Sequence, residues 1–324
     1  MTVLITGAGG QDGRILARKL LAGGQKVTGL CKPGHQSVLF RYCPGIDIIA
    51  VDLTNEQSLS EILNEVRPDE IYNLAGFSSV HHSWRNPDRA TAVNSLVPAV
   101  ILKWCLEEKP AARVLQASSS EIFGASNCAP QSELTPHNPI TPYGLSKSFS
   151  HTLVQQFREE HGLHASNAIL YNHESPLRDN HFVTRKITQG VAAIAWGSSD
   201  SIRLGQLHSK RDWGWAPDYV NGMQDIIRQD TPGDYILSTG VLHSVTDLLS
   251  YAFNHIGISD YSKYIQHDHR DDRHIDPTNL VGDNSLAKEK LNWTPTKSLE
   301  QVIRDMVDFD LELLRNPESQ WFCN

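Results

Sequence analysis

The sequence has 324 residues, with 29 basic and 37 acidic side chains for a formal net charge of −8, and 40% apolar against 20% charged residues. That balance is globular, and a net negative surface repels phosphate backbones, so no nucleic-acid partner is expected. No apolar run nears the roughly 18 residues that span a bilayer, Met1–Gly7 carries no charged leader, and the five cysteines are odd in number and scattered. A cytoplasmic enzyme without a membrane partner is therefore expected.

In chain order, Val3–Thr6 predicts a strand, and Ile15, Leu16, Leu20 and Leu21 recur behind it at helical spacing. Lys26–Leu30 and Ile46–Val51 predict two further strands. Leu59, Ile62, Leu63 and Val66 stripe a helix that Pro68 stops. Ile71–Ala75 predicts a strand, Ala90–Glu107 one long helix despite Pro98, and Val114–Ala117 a fifth strand. Pro142–His161 reads as a helix leading into the strand Ala165–Leu170. Such alternation implies an α/β fold, a Rossmann-type doubly wound parallel sheet covered on both faces. Beyond Asn172 arginine, histidine, tryptophan and proline crowd the loops and helices become fewer. The expected division is a dinucleotide-binding domain over residues 1–171 and, over 172–324, mainly a smaller substrate-binding lobe. Segments 210–229 and 236–240 are expected to return to the first domain.

Gly7, Gly10 and Gly13, with Gln11 and Asp12 between them, directly follow the first strand and open a helix. The chain must turn tightly there, let a pyrophosphate approach its backbone and pack the helix on the sheet. Each demand favours a residue without Cβ, and the helix N-terminus supplies N–H groups and positive dipole. NAD sites usually place a carboxylate at the end of the second strand. Here Thr28-Gly29-Leu30-Cys31-Lys32 has none. Lys32, with Arg14 as a second candidate, reads as a partner for a 2′-phosphate or as a solvated charge, so NADP is the expected cofactor. Asp52, followed by Leu53 after the third strand, reads as an adenine contact or a helix N-cap.

Tyr143 and Lys147 stand four residues apart, on one face of a helix. A free phenol titrates near 10, and a neighbouring ammonium together with an oxidised nicotinamide would lower it enough to accept a hydroxyl proton. About 20 residues earlier, Ser118-Ser119-Ser120-Glu121 ends the fifth strand, where open α/β sheets bind ligands.

These segments, with the stretches IYNLAG, YNHESPLRDNHFVTRKIT, RDWGWAPDYV and GDNSLAKEKLNW, resemble the extended short-chain dehydrogenase/reductases, and among them the GDP-mannose 4,6-dehydratases. The likeness runs over nearly the whole chain. It implies that Ser119 bonds the sugar oxygen at carbon 4, that Glu121 is an acid/base, and that Tyr143 and Lys147 are the active-site pair. It also implies that Asn172, Lys186, Arg211, Arg273 and Asp276 engage the ribose and diphosphate of a GDP-sugar substrate. A homodimer or homotetramer follows from the same resemblance, through a bundle of the long helix and the Tyr143 helix. Ser119 stands where threonine is commoner, Asp276 where glutamate stands, Trp215 where histidine stands, and the loop after Lys32 is short.

The implied reaction passes hydride from carbon 4 to NADP and back to carbon 6 while water leaves, giving a 4-keto-6-deoxy sugar. A 4-keto-6-deoxy nucleotide-sugar reductase, an epimerase or decarboxylase, and a non-catalytic dinucleotide-binding regulator are the alternatives. His267, Asp268, His269, Asp271, Asp272 and His274 are spaced as metal ligands can be, but the implied chemistry needs no metal and a substrate loop is the expected reading. His81, His82 and Trp84 read as sugar-pocket lining or as packing, and Trp104 and Cys105 as core or dimer contact.

Overall fold

Alternating strands and helices are realised in a computed structural model, which describes residues 1–268 and 280–321. The first half builds β1 (Thr2–Thr6), α1 (Gln11–Ala22), β2 (Lys26–Cys31), α2 (Gln36–Tyr42), β3 (Asp47–Ala50), α3 (Glu56–Val66) and β4 (Glu70–Asn73). Two short helices follow, α4 (Val80–Ser83) and α5 (Pro87–Thr91), then α6 (Val97–Glu108) and β5 (Arg113–Ser119). Next come α7 (Pro142–His161) and β6 (Ala165–Leu170). The second half adds β7 (Asn172–Glu174), α8 (Val183–Trp196), β8 (Ile202–Leu204), β9 (Lys210–Trp215), α9 (Ala216–Ile227) and β10 (Asp234–Leu237). It closes with β11 (Leu242–Ser244), α10 (Val245–His255), β12 (Ile265–His267), α11 (Ser285–Leu291) and α12 (Leu299–Arg315).

Seven strands form one parallel sheet in the order β10-β6-β5-β4-β1-β2-β3. The chain winds outward from β1 through β2 and β3, then restarts at β4 and winds the other way. That reversal opens a crevice beyond the carboxyl ends of the strands, where α/β proteins bind ligands. Successive strand side chains face opposite sides. Val3 and Ile5 accordingly pack with Leu16, Leu20 and Met223 beneath α1 and α9, whereas Leu4 packs with Leu59, Ile101 and Val154 beneath α3, α6 and α7. Both faces are buried, as a parallel sheet requires.

The second half has a core of its own, in which Ile187, Val191, Leu248, Phe253, Val302 and Met306 join α8, α10 and α12. The ends of α10 and α12 are written locally. Ser244 with Asp247, and Ser298 with Gln301, form reciprocal capping boxes. Arg185 and Asp310, both buried, lie 2.5 Å apart and tie α8 to α12.

The long helix and the Asp52 cap are not formed as expected, and the two stretches expected to return to the first domain do so to different extents. The single helix over Ala90–Glu107 is instead α5, a π-helical turn over Ala92–Leu96, and α6. Pro98 has no N–H to donate back into the preceding turn, so the ladder widens there before α6 begins. Of the stretch 210–229, β9 pairs with β7 and β11 in a separate three-stranded sheet, while α9 packs on α1, β5 and β6. Of the stretch 236–240, β10 extends the seven-stranded sheet beside β6. Asp52 is no helix cap: Asn55 caps α3, accepting from Ser58 N at 3.0 Å.

Candidate active site

A cleft of 1380 Å³ opens at the carboxyl ends of the strands. Its first wall is the turn between β1 and α1. Gly7 adopts a φ of +69°, and a Cβ there would stand 2.7 Å from Ala75 N. A Cβ on Gly13 would stand 2.5 Å from the carbonyl oxygen of Gly7. Helix and strand are thus packed backbone to backbone, which only glycine permits. Gly10 is the N-cap of α1 and no side chain caps it, so the first N–H groups of a twelve-residue helix point into the cleft mouth. This cradle fits an anionic pyrophosphate.

Gln11 and Asp12 face the cleft but spend their side chains on the opposite lobe. Gln11 Nε2 donates to the carbonyl of His173 at 3.0 Å, and Ser175 Oγ donates to Gln11 Oε1 at 2.8 Å. His173 Nε2 donates to Asp12 Oδ2 at 2.9 Å and its Nδ1 to the carbonyl of Tyr171 at 2.7 Å. Both ring nitrogens therefore face acceptors, which calls for the doubly protonated imidazolium. Burial alone would lower His173 and raise Asp12, but their mutual attraction wins, holding the imidazole above and the carboxyl below their ordinary values.

Lys32, Asp52 and Leu53 line the cleft beyond the second and third strands. Asp52 accepts from Thr54 N at 3.0 Å and Thr54 Oγ1 at 2.8 Å, and these bonds hold its carboxyl below the usual range, helped by Arg89 and Lys32. Arg14 is a structural pin: it donates to the carbonyls of Gly10 and Leu177 and lies over the Tyr42 ring at 4.9 Å. His35 and Arg89, which the sequence reading passed over, also line this region.

Ser119 ends β5, and a 3₁₀ turn over Ser120–Ile122 swings Glu121 into the cleft wall. Ser119 Oγ accepts from Glu121 N at 3.2 Å. Across from them, Thr141 caps α7 by accepting from Gly144 N at 2.9 Å, and Pro142 takes the first turn, where its missing N–H costs nothing. Tyr143 therefore leaves the helix in its first turn, facing Ser119. Although part of its ring faces the cleft, burial pushes the phenol up to about 12; the Ser119 hydroxyl and Arg178 pull it down, and Glu121 pushes it further up. Lys147 is buried, donates from Nζ to the carbonyl of Ala117 at 2.8 Å, and is lowered to about 8 by desolvation. The expected lowering calls for an oxidised nicotinamide beside the phenol as well as the ammonium of Lys147, and in the chain by itself burial is the larger influence.

Two residues missed in the sequence stand close to this group. Asn94, turned inward by the π-helical turn, accepts from Phe77 N at 2.8 Å and donates to Ser146 Oγ at 3.0 Å, within the Tyr143 helix. Arg178 pairs with the buried Glu174 at 3.3 Å and lies over the Phe182 ring at 3.6 Å. The apolar spacing carried no sign of the first; the second lay in the YNHESPLRDN segment but was not singled out.

Asn172, Lys186 and Arg211 line the same cleft from β7, α8 and β9. Arg211 is buried and donates from Nη1 to the carbonyl of Lys210 at 2.7 Å. Arg273 and Asp276 lie outside the described residues, as do His269, Asp271, Asp272 and His274. Among the described residues no group of three or more His, Cys, Asp or Glu is placed to hold a metal ion, and no helix is long and apolar enough to cross a membrane. His81 and His82 line the cleft, whereas Trp84 is 59% exposed. Trp104 and Cys105 are core residues, Trp104 Nε1 donating to Asn64 Oδ1 at 2.7 Å.

Residues 4–306 match the model of the family described as GDP-mannose 4,6 dehydratase. The chain is 39% identical to GDP-mannose 4,6 dehydratase 2 of Arabidopsis thaliana, with 96% of this chain and 87% of that protein covered. It is 37% identical to GDP-mannose 4,6 dehydratase of Homo sapiens, covering 98% and 93%. Among solved structures, UDP-glucose 4-epimerase of Thermotoga maritima superimposes with a TM-score of 0.86 at 23% identity over 97% of this chain and 100% of that one. The dTDP-glucose 4,6-dehydratase DesIV of Streptomyces venezuelae, solved with NAD, gives 0.84 at 21% identity over 98% of each. At such identities the structural likeness speaks for the fold, and the sequence matches speak for the family.

Proposed function

The chain belongs to the GDP-mannose 4,6-dehydratase family, and from that premise we propose that it converts GDP-mannose to the 4-keto-6-deoxy sugar nucleotide with loss of water. The observation that carries this reading is the convergence of Ser119, Glu121, Tyr143 and Lys147 on one cleft, whose other end is an uncapped helix N-terminus over a glycine turn.

Each residue has a task its geometry suits. The neutral Tyr143 phenol faces Ser119, so a sugar hydroxyl at carbon 4 placed between them would be held by Ser119 and give up its proton to Tyr143 once that phenol is ionised. Lys147, lowered to about 8 and held on the carbonyl of Ala117, keeps an ammonium next to the site and favours that ionisation. Glu121 then takes the proton at carbon 5, made acidic by the new ketone, and returns it to the hydroxyl leaving carbon 6 as water. Bound in the cradle of Gly7, Gly10 and Gly13, a nicotinamide dinucleotide supplies the hydride acceptor for carbon 4 and the hydride donor for carbon 6. As hydride reaches carbon 6, carbon 5 takes up the proton that Tyr143 accepted from the carbon 4 hydroxyl, so the tyrosine is reset and neither an added reductant nor a metal enters the balance.

The cofactor is NADP on this reading, because the cleft offers Lys32 and Arg89 where an NAD site would place an acid after the second strand. Asn172, Lys186 and Arg211 would hold the ribose and diphosphate, with Arg273 and Asp276 completing the set by resemblance. The small sheet and the helical cluster of the second half would form the substrate lobe. Leu96, Leu145 and Phe149, all more than half exposed on or beside α6 and α7, support self-association of the chain through that face. A cytoplasmic setting accords with the free thiols Cys31, Cys43, Cys105 and Cys128.

Incubation with GDP-mannose and NADP, without added reductant, tests the reaction. The 4-keto-6-deoxy product should appear with no net change in NADPH. Turnover that requires NADPH and a keto-sugar would replace this reading with the reductase. For the cofactor, binding isotherms should show NADP tighter than NAD, with Lys32→Ala closing the gap.

A further inference from the structure

Tyr143, Lys147 and His151 follow one another at four-residue intervals on α7, and each meets a different residue at the end of β5. Tyr143 faces Ser119, Lys147 holds the carbonyl of Ala117, and His151 Nδ1 lies 2.9 Å from Ser118 Oγ. The third contact has no part in the proposed chemistry. Ser118 and His151 are almost wholly buried, at 2% and 1% exposure.

The surroundings decide which way this bond runs. His151 Nε2 faces Asp234 Oδ2 at 3.7 Å, and a bare nitrogen lone pair against a carboxylate is unfavourable, so Nε2 carries the ring proton. Nδ1 is then an acceptor, and the Ser118 hydroxyl donates to it. Asp234 is itself fixed, taking Arg158 on both oxygens at 2.9 Å, Gln155 Nε2 at 2.7 Å and Asn167 Nδ2 at 2.8 Å. The ring of His137 stands edge-on to His151 with centroids 4.8 Å apart, and its Nδ1 lies 2.9 Å from Ser148 Oγ. Burial lowers His151 to about 4, against the pull of Asp234 and with the help of His137 and Arg158. The acceptor is thus preserved at neutral pH.

We propose that His151 is a positioning residue: by accepting a hydrogen bond from the Ser118 hydroxyl it locks α7 against β5 and so sets the distance between Tyr143 and Ser119. Tyr143 must change protonation, so its contact with Ser119 cannot by itself hold the helix steady through the reaction. The contact of His151 with Ser118 can, because nothing in the chemistry draws on it. A helix advances about 1.5 Å per residue and a strand about 3.3 Å, so a slip of one helical residue would already misplace the phenol by a reactive distance.

The proposal rests on the reading of Tyr143, Lys147 and Ser119 as the catalytic groups, and its test separates the two. His151→Phe keeps the ring and removes the acceptor, Ser118→Ala removes only the donor oxygen, and His151→Asn returns an acceptor near the place of Nδ1. The first two should lower kcat roughly tenfold with KM for GDP-mannose unchanged, and the third should recover most of it. The ¹³Cζ resonance of Tyr143, assigned through its loss in Tyr143→Phe, should move in the first two variants and return in the third. That signal needs no turnover, so a protein that does not dehydrate GDP-mannose would end the catalytic reading while still deciding the positioning. An unmoved Tyr143 resonance, a loss confined to KM, or His151→Asn behaving like His151→Phe would each overturn it. Should His151→Phe fail to fold, Ser118→Ala alone decides.

Discussion

Asp12 and His173 meet across the cleft, one from the first turn of α1 and the other from β7. Their pairing raises the imidazole above its ordinary 6.5 and lowers the carboxyl below its ordinary 3.8. A raised histidine contributes stability below its unfolded value and loses it as pH rises through the folded one. A lowered carboxyl contributes above its unfolded value and loses it as pH falls through the folded one. The pair is therefore at full strength between about pH 4 and pH 6.5. Asp12→Asn should cost about 1.5–3 kcal/mol in that window, less at pH 9, as melting curves across the range would show. A penalty that does not vary with pH would mean the bond is made by neutral groups. At the same scale, Glu121→Gln keeps shape but cannot accept the carbon 5 proton. Product formation should fall by at least about two decades while the absorbance of reduced nicotinamide still appears on mixing with GDP-mannose. Tyr143→Phe should abolish both signals. A Glu121→Gln protein that dehydrates at a near-normal rate would falsify the assignment of the base.

Helix α7 is the element on which the site depends, since it carries Tyr143 and Lys147 toward the end of β5. Its bounds were legible: Thr141-Pro142 supplies a cap and a preset first turn, and Gly162, at a φ of 67°, supplies the left-handed stop. Thr141→Ala should destabilise the protein by about 1 kcal/mol in denaturant titration. It should also lower kcat more than it alters KM, because the frayed turn is the one that holds Tyr143. The stretch before it was not legible. A π-helical turn has the same apolar spacing as its neighbours to within a residue, so nothing in Ala90–Glu107 announces that Asn94 will face Ser146.

Across the whole molecule the cleft is shared by parts of the chain far apart in sequence. Arg211 enters it from the small sheet on β9, and Asp212 beside it accepts from Thr239 N at 2.8 Å, Thr239 Oγ1 at 2.6 Å and Gly240 N at 2.8 Å. Those bonds anchor β9 to the segment following β10, so the small sheet is held against the larger one. Arg211→Ala should raise KM for GDP-mannose roughly 10–100-fold with kcat little changed, the loss of one charge-assisted hydrogen bond. Initial-rate kinetics at saturating NADP would check this. Unchanged substrate affinity would make Arg211 a structural residue of β9.

The sequence by itself determined the parallel sheet, the glycine turn and the spacing of Tyr143 and Lys147, because each is a local rule: an apolar period, a missing Cβ, a helical repeat. It also placed Ser119 and Glu121 at a strand end. Only the tertiary structure decided that Gln11 and Asp12 reach across to His173 and Ser175, that Arg14 is a pin, and that β9 leaves the large sheet. It alone decided, too, that burial raises the Tyr143 phenol in the chain by itself. These are contacts between residues up to about 160 positions apart, and burial is a property of everything packed around a group, so no window of sequence contains them.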